Sequence, residues 1–178
     1  MNKPSASRRR WMLALAMSLA AGSAAATSPA APRYAQLAGH WAVQQSMWAT
    51  PGAPAVVDHG TATYALVLGG RDLRQELRIA SSKPFEGLGY IGKDAATGRY
   101  FSSWMDTNFS GMILARGSYD AASRTYTFTG EMAGNDGVPV PVREVMRIAD
   151  SDHFVYEYYE TRNGKETLAV SLQYTRLD

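Results

Sequence analysis

The sequence predicts an all-β protein, an antiparallel meander closed into a β-barrel of roughly ten strands. Two observations carry this. From Leu37 onward, short runs rich in Val, Ile, Thr, Tyr and Trp recur at hairpin spacing, with Gly, Asp or Asn between them and no apolar stripe of helical period. A meander of that many strands leaves two long edges unless it closes, and closure removes the edges on which other chains aggregate.

The elements follow in chain order. Lys3 and Arg8 to Arg10 precede an apolar run from Trp11 to Ala21, too short to span a bilayer, and Ala24-x-Ala26 offers signal peptidase a cleavage site. Residues 1–26 are therefore expected to be a signal peptide and the protein to be exported, to the periplasm or beyond. The "SRRRWM" at Ser7–Met12 is similar to a twin-arginine signal, and an ordinary Sec n-region reads the same residues equally well. Residues 27–36, opening with the Pro- and Ala-rich "TSPAAPR", read as a flexible lead-in, and 37–178 as a single barrel domain. The expected strands are Trp41–Trp48, Thr61–Leu68, Leu73–Ile79, Phe85–Ile91, Tyr100–Asp106, Met112–Tyr119, Tyr126–Met132, Val142–Ile148, Phe154–Glu160 and Thr167–Arg176. The longest connection, "WATPGAPAVVDHG" at Trp48–Gly60, is placed to cover one barrel mouth or to be a solvated loop.

Charge and cysteine usage exclude several classes. Four of the 18 Lys+Arg and none of the 16 Asp+Glu fall in residues 1–26, which leaves 14 bases against 16 acids in the exported part. No nucleic-acid partner is expected of such a chain. With no cysteine there is no disulfide, no thiolate metal site, no Cys nucleophile and no lipidated Cys, so no membrane anchor is expected either. A phosphate-binding loop, a G-x-S-x-G elbow and a coiled-coil heptad are all absent from the sequence. Nothing in it sets an oligomeric state.

Two turns echo each other: "DAATGRY" from Asp94 and "DAASRTY" from Asp120. In each, Asp opens a helical-type turn that Gly98 or Arg124 completes in a left-handed conformation. Asp94 then pairs with Arg99 and Asp120 with Thr125. Counting back places Gly89 opposite Trp104, Gly87 opposite Asp106 and Gly117 opposite Phe128. A glycine across from a large ring lets the ring lie over bare backbone and lets the sheet bend enough to close.

At these residues the chain resembles the secreted bacterial domain-of-unknown-function family fifteen-seventy-nine. The resemblance rests jointly on "LAGHW" at Leu37–Trp41, "PGAP" at Pro51–Pro54, "YALVLGGRDL" at Tyr64–Leu73, "PFEGLGYIGKD" at Pro84–Asp94, "WMD" at Trp104–Asp106, "TGEM" at Thr129–Met132 and "REVMRI" at Arg143–Ile148. It implies a lipocalin-like barrel of the calycin type and no established reaction. Gly39-x-Trp41 and Arg176 are also similar to the calycin closure, in which an arginine lies on the first-strand tryptophan; such a contact contributes roughly 1 kcal/mol.

Several constellations could carry chemistry. Trp104 and Asp106 share a face with Tyr100 and Ser102; if that face points inward, Asp106 is a carboxylate inside the barrel and needs a partner, for which Arg143 is the first candidate. In a hairpin with a short turn near Asp150, Arg143 falls opposite Glu157 and Val145 opposite Val155, and Arg143, Glu157 and Tyr159 share one face. They read either as a polar patch for a ligand head group or as ion pairs that satisfy one another. Asp106 with Glu131, or Glu157 with either, invites an acid–base reading. His40, His59 and His153 lack the spacing of a metal site, and no metal or cofactor is expected; since some calycin-like barrels hold haem through one histidine, a single axial ligand stays open. Phe154, Tyr156, Tyr158 and Tyr159 could line a cavity or pack a core. The function expected is binding of a small apolar or amphipathic molecule without catalysis, at Trp104, Asp106, Arg143, Glu157, Tyr159 and Glu131. The alternatives are an enzyme using interior carboxylates and a filled barrel acting as a protein-interaction or envelope module.

Overall fold

The computed structural model describes residues 32–81, 83–134 and 137–177. The signal peptide expected at 1–26 and the first residues of the lead-in lie outside them. Ten antiparallel strands run β1 Gly39–Met47, β2 Val56–Val67, β3 Asp72–Ala80, β4 Phe85–Lys93, β5 Tyr100–Asp106, β6 Phe109–Asp120, β7 Thr125–Ala133, β8 Pro139–Ile148, β9 His153–Arg162 and β10 Lys165–Arg176. Each pairs with its sequence neighbours, and β10 returns to β1, so the meander closes into a barrel with no free edge.

The two Asp turns set the registers inferred from them. Asp94 Oδ1 accepts the amides of Ala96 (2.9 Å) and Thr97 (3.0 Å), and Gly98 takes φ 69°. The Asp94 amide then donates to the Arg99 carbonyl at 2.9 Å, and Gly89 faces Trp104 while Gly87 faces Asp106. In the second hairpin Arg124 takes φ 53°, Asp120 pairs with Thr125, and Gly117 faces Phe128.

Three expectations need correction. Arg33–Leu37 form a 3-10 helix rather than the end of a flexible lead-in, because Tyr34 and Leu37 are apolar enough to be drawn into the barrel end, where both are 1% exposed. β2 begins at Val56, five residues before the expected Thr61, so the first connection shrinks to residues 48–55. The β8–β9 register is offset by two residues, with Arg143 opposite Tyr159 and Val145 opposite Glu157. The cause is the turn: Ala149 donates to the His153 carbonyl at 3.0 Å, and Asp150 Oδ1 accepts the Asp152 amide at 2.8 Å, which lengthens the loop to four residues.

The end beneath the 3-10 helix is packed solid. Trp41, 1% exposed, meets Phe154 edge-on at 4.7 Å, and Phe154 stacks on Tyr174 at 4.0 Å. The closure expected of Trp41 and Arg176 is present. The two residues pair across the β1–β10 seam, the guanidinium lies 4.1 Å from the indole centroid, and it donates to the carbonyls of Gln36 (2.8 Å), Ala38 (3.0 Å) and Ser151 (2.9 Å). The Trp41 Nε1–H donates in turn to the Leu37 carbonyl at 2.9 Å, so helix, first strand and last strand are fastened at one point.

Candidate functional site

Toward the other end the inward residues shrink or turn polar, and the barrel is hollow. A cavity of about 570 Å³ opens at the mouth formed by the β1–β2, β3–β4, β5–β6, β7–β8 and β9–β10 connections. Its walls are apolar for the larger part, from Met47, Val56, Leu77, Phe85, Ile113, Val170 and Leu172 among others. None of residues 48–55 lines it, so the first connection borders the mouth without covering it.

Trp104 points inward from β5, as the glycine spacing requires. Its indole lies over both glycines of β4: a Cβ at Gly87 would overlap the six-membered ring, and one at Gly89 would meet the ring together with the Ser103 carbonyl and Gln75. The indole Nε1–H donates to Asp106 Oδ2 at 2.8 Å, and Asp106 Oδ1 accepts the Asn108 amide at 2.8 Å. Asp106 is thus an inward carboxylate at the mouth, but its partners are its own strand neighbour and turn, not Arg143.

Arg143, Glu157 and Tyr159 do share a face, and it is the outer one. On β8 the residues Val142, Glu144, Met146 and Ile148 turn inward, which sends Arg143 out. There the guanidinium forms a bidentate pair with Glu166 (2.9 and 2.7 Å) and lies 4.0 Å over the Tyr159 ring. The Tyr159 hydroxyl donates to Glu157 at 2.7 Å, and Arg147 pairs with the same carboxylate. The patch satisfies its own members. Glu131 is exposed and alternates outward from Met132, which lines the cavity. The carboxylate pairs proposed from sequence for acid–base work are therefore not assembled in the cavity. His40, His59 and His153 are exposed, and none lines it.

The interior acid that sequence reasoning missed is Glu144, which lines the cavity and is 2% exposed. Burial pushes its carboxyl up to about 7, a rise opposed by hydrogen bonds from the Ser102 and Tyr156 side chains. Gln45 and Gln75, both buried, add amide groups to the same cavity from β1 and β3. A signal was available: in "VREVMRI", Glu144 falls on the parity of Val142, Met146 and Ile148, the residues an inward face must carry. The arrangement can present the deep Glu144 carboxyl, flanked by the Ser102 and Tyr156 hydroxyls, to a molecule whose remaining surface lies against the apolar part of the walls.

Over residues 31–176 the sequence matches the family described as "Protein of unknown function (DUF1579)". Among curated proteins, none matches the sequence. Among solved structures, a redesigned β-barrel is similar at a TM-score of 0.44 and 10% identity, with 85% of this chain and 100% of that one covered.

Proposed function

The chain belongs to the DUF1579 family, and we propose from its cavity that it is an exported barrel that binds a small amphipathic molecule without transforming it. The observation that carries this reading is the cavity itself. Its 570 Å³ falls within the range of about 300–1,000 Å³ that ligand sites occupy, and it combines apolar walls with a few polar groups. A barrel serving only as an interaction module gains nothing from such a hollow, which forfeits packing contacts. Export rests on the basic residues before the apolar run at Trp11–Ala21 and on the A-x-A site at Ala24–Ala26.

Native mass spectrometry of protein recovered from its own cell envelope tests the reading, with retained mass expected on the folded chain. Ile113→Trp, which fills the cavity from β6, should abolish that mass while leaving the far-UV spectrum unchanged. Retention unaltered by Ile113→Trp, or no uptake from a panel of amphipathic compounds, overturns the proposal.

One observation favours a second reading. Glu144 titrates near 7, where a general acid or base works best. An enzyme built on it would convert a bound compound, and Glu144→Gln would stop conversion while binding persisted.

A further inference from the structure

We propose that the cavity prefers amphipathic amines, taken up nitrogen first against Glu144, and disfavours fatty acids. This rests on the binding reading above and adds the chemical class of the ligand's polar end.

The argument starts from charge. The cavity is lined by four acids, Asp58, Asp106, Glu144 and Glu160, against two bases, Lys83 and Arg162. Arg162 is already held by Glu160 at 2.7 Å, and Asp106 by the Trp104 indole and the Asn108 amide. Glu144 differs from the other three in depth and in company: it is 2% exposed, and among the described residues its side-chain partners are the hydroxyls of Ser102 and Tyr156, with no cation. A buried carboxylate without a positive partner is costly, so a ligand that brings a positive donor relieves that cost. A ligand carboxylate does the reverse. Two acids side by side cannot both stay ionised, and one must take up a proton for binding to occur. An alcohol brings a hydrogen bond but no positive charge, so it leaves the buried carboxylate without a counter-ion.

Proton linkage gives the proposal a second signature. Glu144 is half ionised near pH 7, and it must shed its proton to pair with an ammonium. The titratable groups around it are Tyr64 on β2, Tyr156 and Tyr158 on β9 and Tyr174 on β10, all raised above 10 by burial. Gln45 on β1 and Gln75 on β3 line the same cavity, and the Ser102 hydroxyl bonds to Glu144 from β5; none of these titrates. Asp58, Lys83, Asp106, Glu160 and Arg162 line the same cavity toward its mouth. Glu144 is thus a buried cavity acid whose charge changes between pH 6 and pH 8.

Isothermal titration of the mature protein with octylamine, octanol and octanoate at pH 8 tests the proposal, because the three share one tail. Octylamine should bind about tenfold tighter than octanol, and octanoate most weakly. Moving to pH 6 should weaken octylamine about tenfold and leave octanol unchanged, since about a tenth of Glu144 is then ionised. In Glu144→Gln, with folding checked by thermal melt, octylamine should fall to the affinity of octanol. Octanoate binding as tightly as octylamine, or an amine preference that survives Glu144→Gln, overturns the inference while leaving the binding reading in place. Failure of all three to bind overturns the binding reading, and this inference with it.

Discussion

The two ends of the barrel are made by the same ten strands, yet one is solid and the other hollow. β1 contributes Trp41 and Val43 to the solid end and Gln45 and Met47 to the hollow one; β9 contributes Phe154 to the first, and Tyr156, Tyr158 and Glu160 to the second. Strand alternation is unbroken along both strands, so inward direction alone does not make a core. The decision lies in what fills each inward position. At the solid end rings meet rings across the axis, and the 3-10 helix adds Tyr34 and Leu37 as a plug. At the hollow end Gly87 and Gly89 give up their volume to one indole, while carboxyl, amide and hydroxyl groups replace apolar tips. Stability and binding capacity are thereby divided along the barrel axis.

Substitutions at the two ends should differ accordingly. Trp41→Ala removes a fully buried indole, its ring contacts and the seat of Arg176, and should cost about 3–5 kcal/mol in denaturant unfolding. Trp104→Ala should cost less, because it widens a space that already opens to solvent. Equal losses at the two tryptophans would break the contrast between the ends.

The hollow end should also carry a pH-dependent penalty. The Glu144 carboxyl is raised from 4.5 to about 7 in the folded protein. Between those values the unfolded chain has lost the proton and the folded one keeps it, so stability present below pH 4.5 falls as pH rises and levels off above 7. The loss is on the order of 3 kcal/mol. Glu144→Gln should remove this slope, leaving the variant more stable than the parent at pH 8 and little changed at pH 4. A parent protein that gains stability from pH 5 to 7, with the variant following it, would contradict the assignment.

Smaller effects sharpen the picture of the wall. Gly87→Val should cost about 1–3 kcal/mol by overpacking, and adding Trp104→Ala should recover most of it, since only the indole stands where the new Cβ would go. Gly89→Val should not be recovered that way, because the Ser103 carbonyl occupies its space. A double-mutant cycle on denaturant midpoints measures the difference. Smallest of all should be Arg143→Ala on the outer face, at under about 1 kcal/mol and without effect on ligand uptake.

Much of this architecture is legible in the sequence because it rests on local chemistry. Asp94 and Asp120 fix two hairpins through their own turns, and two fixed registers carry Gly87, Gly89, Trp104 and Phe128 to their places. Trp41 and Arg176 are legible through their family resemblance. The face taken by Arg143, Glu157 and Tyr159 is not, because a two-residue change of register preserves which residues share a face and says nothing of where it points. Glu144 is obscured for a different reason: an acid among two arginines reads as solvent-facing, and only its parity with Val142, Met146 and Ile148 argues otherwise. The partner of Asp106 is hidden because Trp104 lies two residues away on its own strand, where a search for cations does not look.

The seam between β1 and β10 has a consequence for how the protein folds. Every other strand pair joins sequence neighbours, whereas the Arg176 contact with the Ala38 carbonyl spans 138 positions. Drawing those ends together from an open chain costs about 3 kcal/mol more loop entropy than closing a five-residue hairpin, so the nine local pairings are expected to zip first and the seam last. Far-UV ellipticity should then recover ahead of Trp41 fluorescence during refolding, and coincident traces would show that closure is not a separate step. Until Arg176 reaches Trp41 the curled sheet exposes two unpaired edges, each a template for another chain. The rate at which this one guanidinium finds its indole would set how long each newly made molecule is open to association with its neighbours.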